Sequence, residues 1–133
     1  MYSILLVDDE AWEKEFIGFS CQKILGDFFE LDHALRGSEA TKLLLEKEYD
    51  LILLDNNLSG ALNAKFTVPF LKECAGRASI AIISNNIQED YLVDPSLLGV
   101  DYIIDKKQLE TFLEKIKTNN FNPISYNSVS LHR

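Results

Sequence analysis

Two adjacent aspartates, Asp8 and Asp9, end a short aliphatic run, Ile4–Val7, near the start of the chain. A second run, Leu51–Leu54, ends in Asp55, a third, Ile80–Ile83, ends in Ser84, and a fourth stretch, Asp101–Ile104, is followed by Asp105 and Lys106. If these runs are strands of one sheet, three carboxylates, a hydroxyl and an ammonium group converge on one edge. Close carboxylates repel, which raises the pKa of at least one of them unless a cation neutralises the group. Hard oxygen donors without a ring of imidazoles suit Mg²⁺ or Mn²⁺, and Mg²⁺ in particular takes a few carboxylates, several waters and a phosphoryl oxygen. A lysine that supplies charge and a serine that supplies a donor are then natural partners for a transferred phosphoryl group. A carboxylate beside the cation can itself accept that group as an aspartyl phosphate.

Such a convergence depends on the elements that carry these residues. Apolar runs alternate with segments of helical period along the chain. Ile17, Cys21 and Ile24, with Phe16 and Leu25, form a stripe between Ala11 and Leu25, and Phe28–Ala34 reads as a second strand. Ala40, Leu43 and Leu44 mark a second helix with Ser38 as its N-cap, and Ala64, Val68, Leu71 and Ala75 a third, closed by Gly76. Leu109, Phe112, Leu113 and Ile116 recur at helical spacing in the last. Pro95 disfavours helix at Asp94, so the fourth helix is expected to be short, shifted or split, ending at Gly99. Uninterrupted apolar strands separated by helices imply a parallel sheet buried on both faces. In such a sheet ligands bind beyond the carboxyl ends of the strands, where the polar residues above are placed. Five β/α units fill residues 1–118 as one domain, and 119–133, rich in Asn and Ser with Pro123, reads as a polar tail.

Composition narrows the function classes. A chain of 133 residues can bury a useful core without disulfide or structural metal. With 21 acidic against 13 basic side chains the net charge is −8, which argues against direct nucleic-acid binding. Cys21 and Cys74 are too few for a disulfide scaffold and lack zinc-like spacing with His, so two reduced thiols are expected. The N-terminus has no basic region before its apolar run, and no stretch approaches roughly 18 apolar residues. Neither a signal peptide nor a membrane span is expected, and a cytoplasmic location follows. His33 and His132 lack ligand-like neighbours and read as structural or exposed; Trp12 is expected half-exposed beside the acidic pocket.

The stretches Leu5-Leu6-Val7-Asp8-Asp9-Glu10, Tyr49-Asp50-Leu51-Ile52-Leu53-Leu54-Asp55, Ile82-Ile83-Ser84 and Gly99-Val100-Asp101-Tyr102-Ile103-Ile104-Asp105-Lys106 resemble the receiver domain of bacterial two-component response regulators. The match covers roughly residues 2–118, in order and at similar intervals. The resemblance implies a flavodoxin-like (βα)5 fold, a doubly wound five-stranded parallel sheet of order 2-1-3-4-5. It implies that Asp55 accepts a phosphoryl group from a histidine kinase or phosphotransfer protein. Mg²⁺ would be held by Asp8, Asp9, Asp55 and the backbone carbonyl of Asn57, while Ser84 and Lys106 bind phosphoryl oxygens. Readout would pass through a protein partner at the face of helix four, strand five and helix five, from a monomer or weak homodimer. Such a chain is a switch and not an enzyme, with at most slow autophosphorylation and autodephosphorylation.

Several positions depart from the family's pattern. Ser59 stands where Pro often lies four residues after the acceptor, so Leu58–Lys65 is expected to be unusually shaped. Asn85, followed by Asn86, replaces a small residue after the switch hydroxyl, and would restrict access or orient attacking water. Ile103 occupies the place of the switch aromatic; Tyr102, one residue earlier, faces the other way on a regular strand. Sliding the register would put Asp105 at the lysine position, but the interval of 22 residues from Ser84 favours Lys106. Lys107 stands where Pro often follows the lysine. Two alternatives stay open: a degenerate receiver acting as a constitutive binding module, and a phosphohydrolase of the haloacid dehalogenase type. The latter needs a second Asp two residues after the nucleophile as general acid, and Asn57 occupies that place.

Overall fold

The computed structural model describes residues 1–58, 62–85 and 95–121. In chain order these form β1 (Tyr2–Val7), α1 (Glu13–Leu25), β2 (Phe29–Ala34), α2 (Gly37–Glu46) and β3 (Leu51–Asp55). A small antiparallel pair follows, β4 (Asn57–Leu58) and β5 (Leu62–Asn63), then α3 (Ala64–Cys74) and β6 (Ser79–Ser84). The chain continues with α4 (Pro95–Leu98), β7 (Tyr102–Asp105), a 3-10 turn (Lys106–Gln108) and α5 (Leu109–Phe121). The main sheet is entirely parallel in the order β2-β1-β3-β6-β7. With the hairpin set aside, that is the expected order 2-1-3-4-5 of a flavodoxin-like fold.

Strand alternation divides the core in two. Leu5, Val7, Ile52, Leu54, Ile80 and Ile82 face a cluster with Ala40, Leu44, Val68 and Leu71 of α2 and α3. Ile4, Leu6, Leu51, Leu53, Ala81, Ile83 and Ile104 face the opposite cluster with Ile17, Cys21 and Ile24 of α1 and Leu113 and Ile116 of α5. Because both faces are covered, the strands carry no polar alternation, and this produces the uninterrupted aliphatic runs of the sequence. Cys21 and Cys74 pack in opposite clusters and are both free thiols, Cys21 with its pKa pushed up to about 12 by burial.

Some local expectations shift. Phe16 is 52% exposed, because the buried stripe of α1 follows Ile17, Cys21 and Ile24 and its neighbour in sequence points about 100° away. Ser38 lies inside the first turn of α2 and not at its cap; Arg36 takes the cap position without a side-chain bond, and the Glu39 carboxylate instead accepts from the Leu35 N–H at 2.9 Å. Pro69 sits within α3, exposed, where its missing N–H leaves one turn of the helix without its bond. α4 is a single short turn closed by Gly99, whose φ of 75 is one that glycine adopts without strain. α5 runs past position 118 to Phe121.

The outer strand β2 is half-buried over most of its length and carries Glu30 and Asp32. Lys47 pairs with both, and the buried Tyr49 hydroxyl donates to Asp32 at 2.6 Å. Glu30 also accepts from Ser3 at 2.6 Å.

Candidate functional site

At the carboxyl edge of the sheet, Asp8 follows β1, Asp55 ends β3, Ser84 ends β6 and Lys106 follows β7. Asp8, Asp55 and Lys106 continue the rows Ile4-Leu6, Leu51-Leu53 and Ile104, the rows that face α1 and α5. Carboxylate oxygens of Asp8, Asp9 and Asp55 lie within 4.8 Å of one another. The Lys106 ammonium stands 3.5 Å from Asp55 Oδ1 and 4.0 Å from Asp8 Oδ2. Ser84 is buried and follows Ile83, the residue paired with Asp55 across the β3–β6 ladder. The register pairs Ser84 with Asp105, so Lys106 is the first residue beyond the β6–β7 ladder.

Two further residues complete the pocket: Glu13, which the sequence does not single out, and His33, whose sequence reading is structural or exposed. Glu13, in the first turn of α1 and 4% exposed, accepts from Lys106 Nζ at 3.2 Å through Oε1. It lies four residues before Ile17 on the buried stripe, a place where an aliphatic side chain is expected; this breach of pattern is the signal that marks it. His33 Nε2 lies 2.7 Å from the main-chain oxygen of Asp8, so that nitrogen carries a proton and pins the Asp8 peptide at the strand end. Asp8 Oδ1 accepts the Glu10 N–H at 2.9 Å, which orients the carboxylate.

Burial and charge set the protonation of the pocket. Burial, reinforced by Asp8 and opposed by Lys106, pushes the Asp55 carboxyl up to about 6. Asp8 is raised chiefly by burial, with the Glu10 N–H and Lys106 pulling back. For Lys106, burial favours the neutral amine, yet Asp55, Glu13 and Asp8 together outweigh it and hold the ammonium above the ordinary lysine range. Among the described residues, Asp8 Oδ2 and Glu13 Oε2 are buried side-chain oxygens without a hydrogen-bond partner. A buried carboxylate oxygen without a hydrogen bond, facing two other carboxylates, fits a hard dication such as Mg²⁺, whose all-oxygen coordination this donor set matches.

Trp12 is 59% exposed at the start of α1, and its indole N–H donates to Glu10 at 3.1 Å. With Glu13, Phe16, Asn85, Lys106 and Lys107 it lines a recess of about 260 Å³ beside the acidic cluster. Asn57 begins the β4–β5 pair, which turns the chain directly after the acidic edge. Tyr102 is half-exposed and meets Phe112 edge-to-face at 5.0 Å, while Ile103 packs on the α2–α3 side of the core. The expectations for Ser59, Asn86, Asp94, Pro123 and His132 fall outside the described residues, as does the tail from 122 onward.

No protein-family model matches the sequence, and no curated protein matches it. Solved structures do match in fold. A two-component response regulator from Clostridium difficile is 18% identical, with 92% of this chain and 99% of that one covered at a TM-score of 0.75. The phosphorylated cyanobacterial phytochrome response regulator RcpA is 23% identical, covering 91% and 94% at a TM-score of 0.70. The receiver domain of a sensor histidine kinase from Pseudomonas aeruginosa, with a magnesium ion coordinated in its active-site cleft, is 19% identical, covering 86% and 95% at a TM-score of 0.68. The fold of this chain is that of response-regulator receiver domains.

Proposed function

We propose that the chain is a phosphoacceptor signalling switch, phosphorylated on Asp55 in a Mg²⁺-dependent reaction and read out by protein–protein interaction. The observation that carries this reading is the gathering of Asp8, Asp9 and Asp55 within 4.8 Å, with the Lys106 ammonium 3.5 Å from Asp55. Asp8, Asp9, Asp55 and the Asn57 carbonyl are the groups that would hold the cation, with Mn²⁺ as a substitute. Bound there, the cation neutralises charge on the phosphoryl oxygens.

An Asp55 carboxylate oxygen attacks phosphorus; the P–N bond of a donor phosphohistidine breaks, and its electron pair stays on the imidazole nitrogen, which remains unprotonated when the other ring nitrogen carries the proton and otherwise takes one from water. Lys106 pairs with one phosphoryl oxygen and the Ser84 hydroxyl donates to another. Asn57, where a hydrolase would need a carboxylic acid, supplies no general acid, which supports a held phosphoryl group over rapid turnover. The donor is a histidine kinase or phosphotransfer protein of the cytoplasm. The face of α4, β7 and α5, with Tyr102 edge-to-face against Phe112, is the surface offered to the downstream partner. No helix among the described residues is long and apolar enough to cross a membrane.

Incubation with Mg²⁺ and acetyl phosphate, followed by intact-mass measurement, tests the reading. The wild type should gain one phosphoryl group and Asp55→Ala none. An unmodified wild type would favour the constitutive binding module. A modified Asp55→Ala would move the acceptor elsewhere, and multiple turnover of small phosphate esters would favour the hydrolase.

A further inference from the structure

We propose that Glu13 is a positioning residue which, by holding the Lys106 ammonium and adding a buried charge, biases the pocket toward a bare cation and against a phosphoryl group on Asp55. The inference rests on the phosphoacceptor reading and deepens it.

Lys106 has three neighbouring carboxylates, and the shortest approach is to Glu13, at 3.2 Å against 3.5 Å to Asp55 and 4.0 Å to Asp8. Glu13 is buried in the first turn of α1, and its second oxygen has no hydrogen-bond partner among the described residues. A carboxylate in that setting keeps its hold on the ammonium it pairs with, Lys106, because the alternative is an uncompensated buried charge. A phosphoryl group on Asp55 must therefore compete with Glu13 for Lys106.

Charge adds to the competition. Counted as formal charges, the carboxylates of Asp8, Asp9, Asp55 and Glu13 with the Lys106 ammonium leave three negative charges. A dication reduces these to one, and phosphorylation of Asp55 adds one more. Without Glu13 the cation-bound pocket would be neutral before phosphorylation. Glu13 thus helps attract the cation and resists the anionic adduct. A residue that served packing alone would affect both in the same direction.

Opposite signs make the test. Mg²⁺ alone, and then beryllium trifluoride at saturating Mg²⁺, are titrated into the full chain by calorimetry; in the second step an Asp55 oxygen displaces water from beryllium and gains one negative charge in the adduct. In Glu13→Gln, Mg²⁺ binding should weaken and beryllium trifluoride binding should tighten, each roughly threefold to tenfold, in the lower part of the range for coupled neighbours. Glu13→Asp keeps the charge but draws back by one methylene. It should leave the Mg²⁺ titration near wild type and tighten the mimic, and it carries the test if Glu13→Gln does not fold. Both constants of Glu13→Gln moving the same way, or neither moving, overturns the proposal alone, as does weaker mimic binding by Glu13→Asp. A wild type that binds neither Mg²⁺ nor mimic removes the phosphoacceptor reading, and the role of Glu13 with it.

Discussion

The chemistry of the pocket is set by how few neutralising groups serve its acids. Asp55 is held at about 6, well above an unfolded aspartate near 3.9, and burial is the main cause. The folded state therefore binds a proton that the unfolded chain has released between about pH 4 and pH 6. Stability of the cation-free protein should fall as pH rises through that window, and above it the ionised Asp55 costs about 2–3 kcal/mol. Asp55→Asn should flatten that decline and gain about 1–3 kcal/mol at pH 7 in urea titrations with EDTA, less whatever Lys106 loses with its partner. A variant less stable than wild type at pH 7 would contradict this account. Asp8, Asp9, Asp55, Ser84 and Lys106 were legible in the sequence because each ends or follows an apolar run. Glu13 was not, nor was the bond from His33 to the Asp8 main chain, because these contacts span 93 and 25 positions. No local pattern reports such a contact, beyond a charge standing on a stripe that ought to be apolar.

Elements were easier to read than their details. All five main strands and four of the helices follow from runs and periods that packing on two faces imposes, and the free thiols Cys21 and Cys74 fall on opposite faces accordingly. Phe16 lies about 100° around the helix from Ile17, at the border of the stripe, and apolar character alone does not say how wide the buried face is: the adjacent Ile24 and Leu25 are both buried, Phe16 is not. Ser38 is not the cap because the helix starts one residue before it, at Gly37, which leaves Arg36 in the cap position without a side-chain bond. α1 and α5 meet through Ile17, Cys21, Ile24, Leu113 and Ile116, and they fix the distance between Glu13 and Lys106. Leu113→Ala should cost about 2–5 kcal/mol by chemical denaturation, since Leu113 is fully buried at that contact. Phe19→Ala, on the outer side of the same pair, should stay within about 0.5 kcal/mol. Equal effects at the two positions would mean that α1 packs by another face.

For the whole molecule, the acidic edge means that a ligand and the fold share one account. A cation that binds only the folded chain stabilises it by mass action, about 1.4 kcal/mol at ten times its dissociation constant, or roughly 4–7 °C in Tm for a domain of this size. Mg²⁺ should raise Tm at pH 7, and the double variant Asp8→Asn/Asp9→Asn should lose most of that rise; an equal rise in both would place the cation elsewhere. The net charge of −8 did not reveal this, because a count has no addresses. At the far side of the sheet another part of that acid has a different use. The open edge of β2 presents Glu30 and Asp32, tied down by Lys47, while the opposite edge, β7, is only four residues long. An approaching strand from another molecule would have to strip a salt-bridged cluster of its water on one side, and finds little ladder to extend on the other. Both borders of the sheet thus discourage fibril-like stacking of a sheet whose central strands are mostly aliphatic.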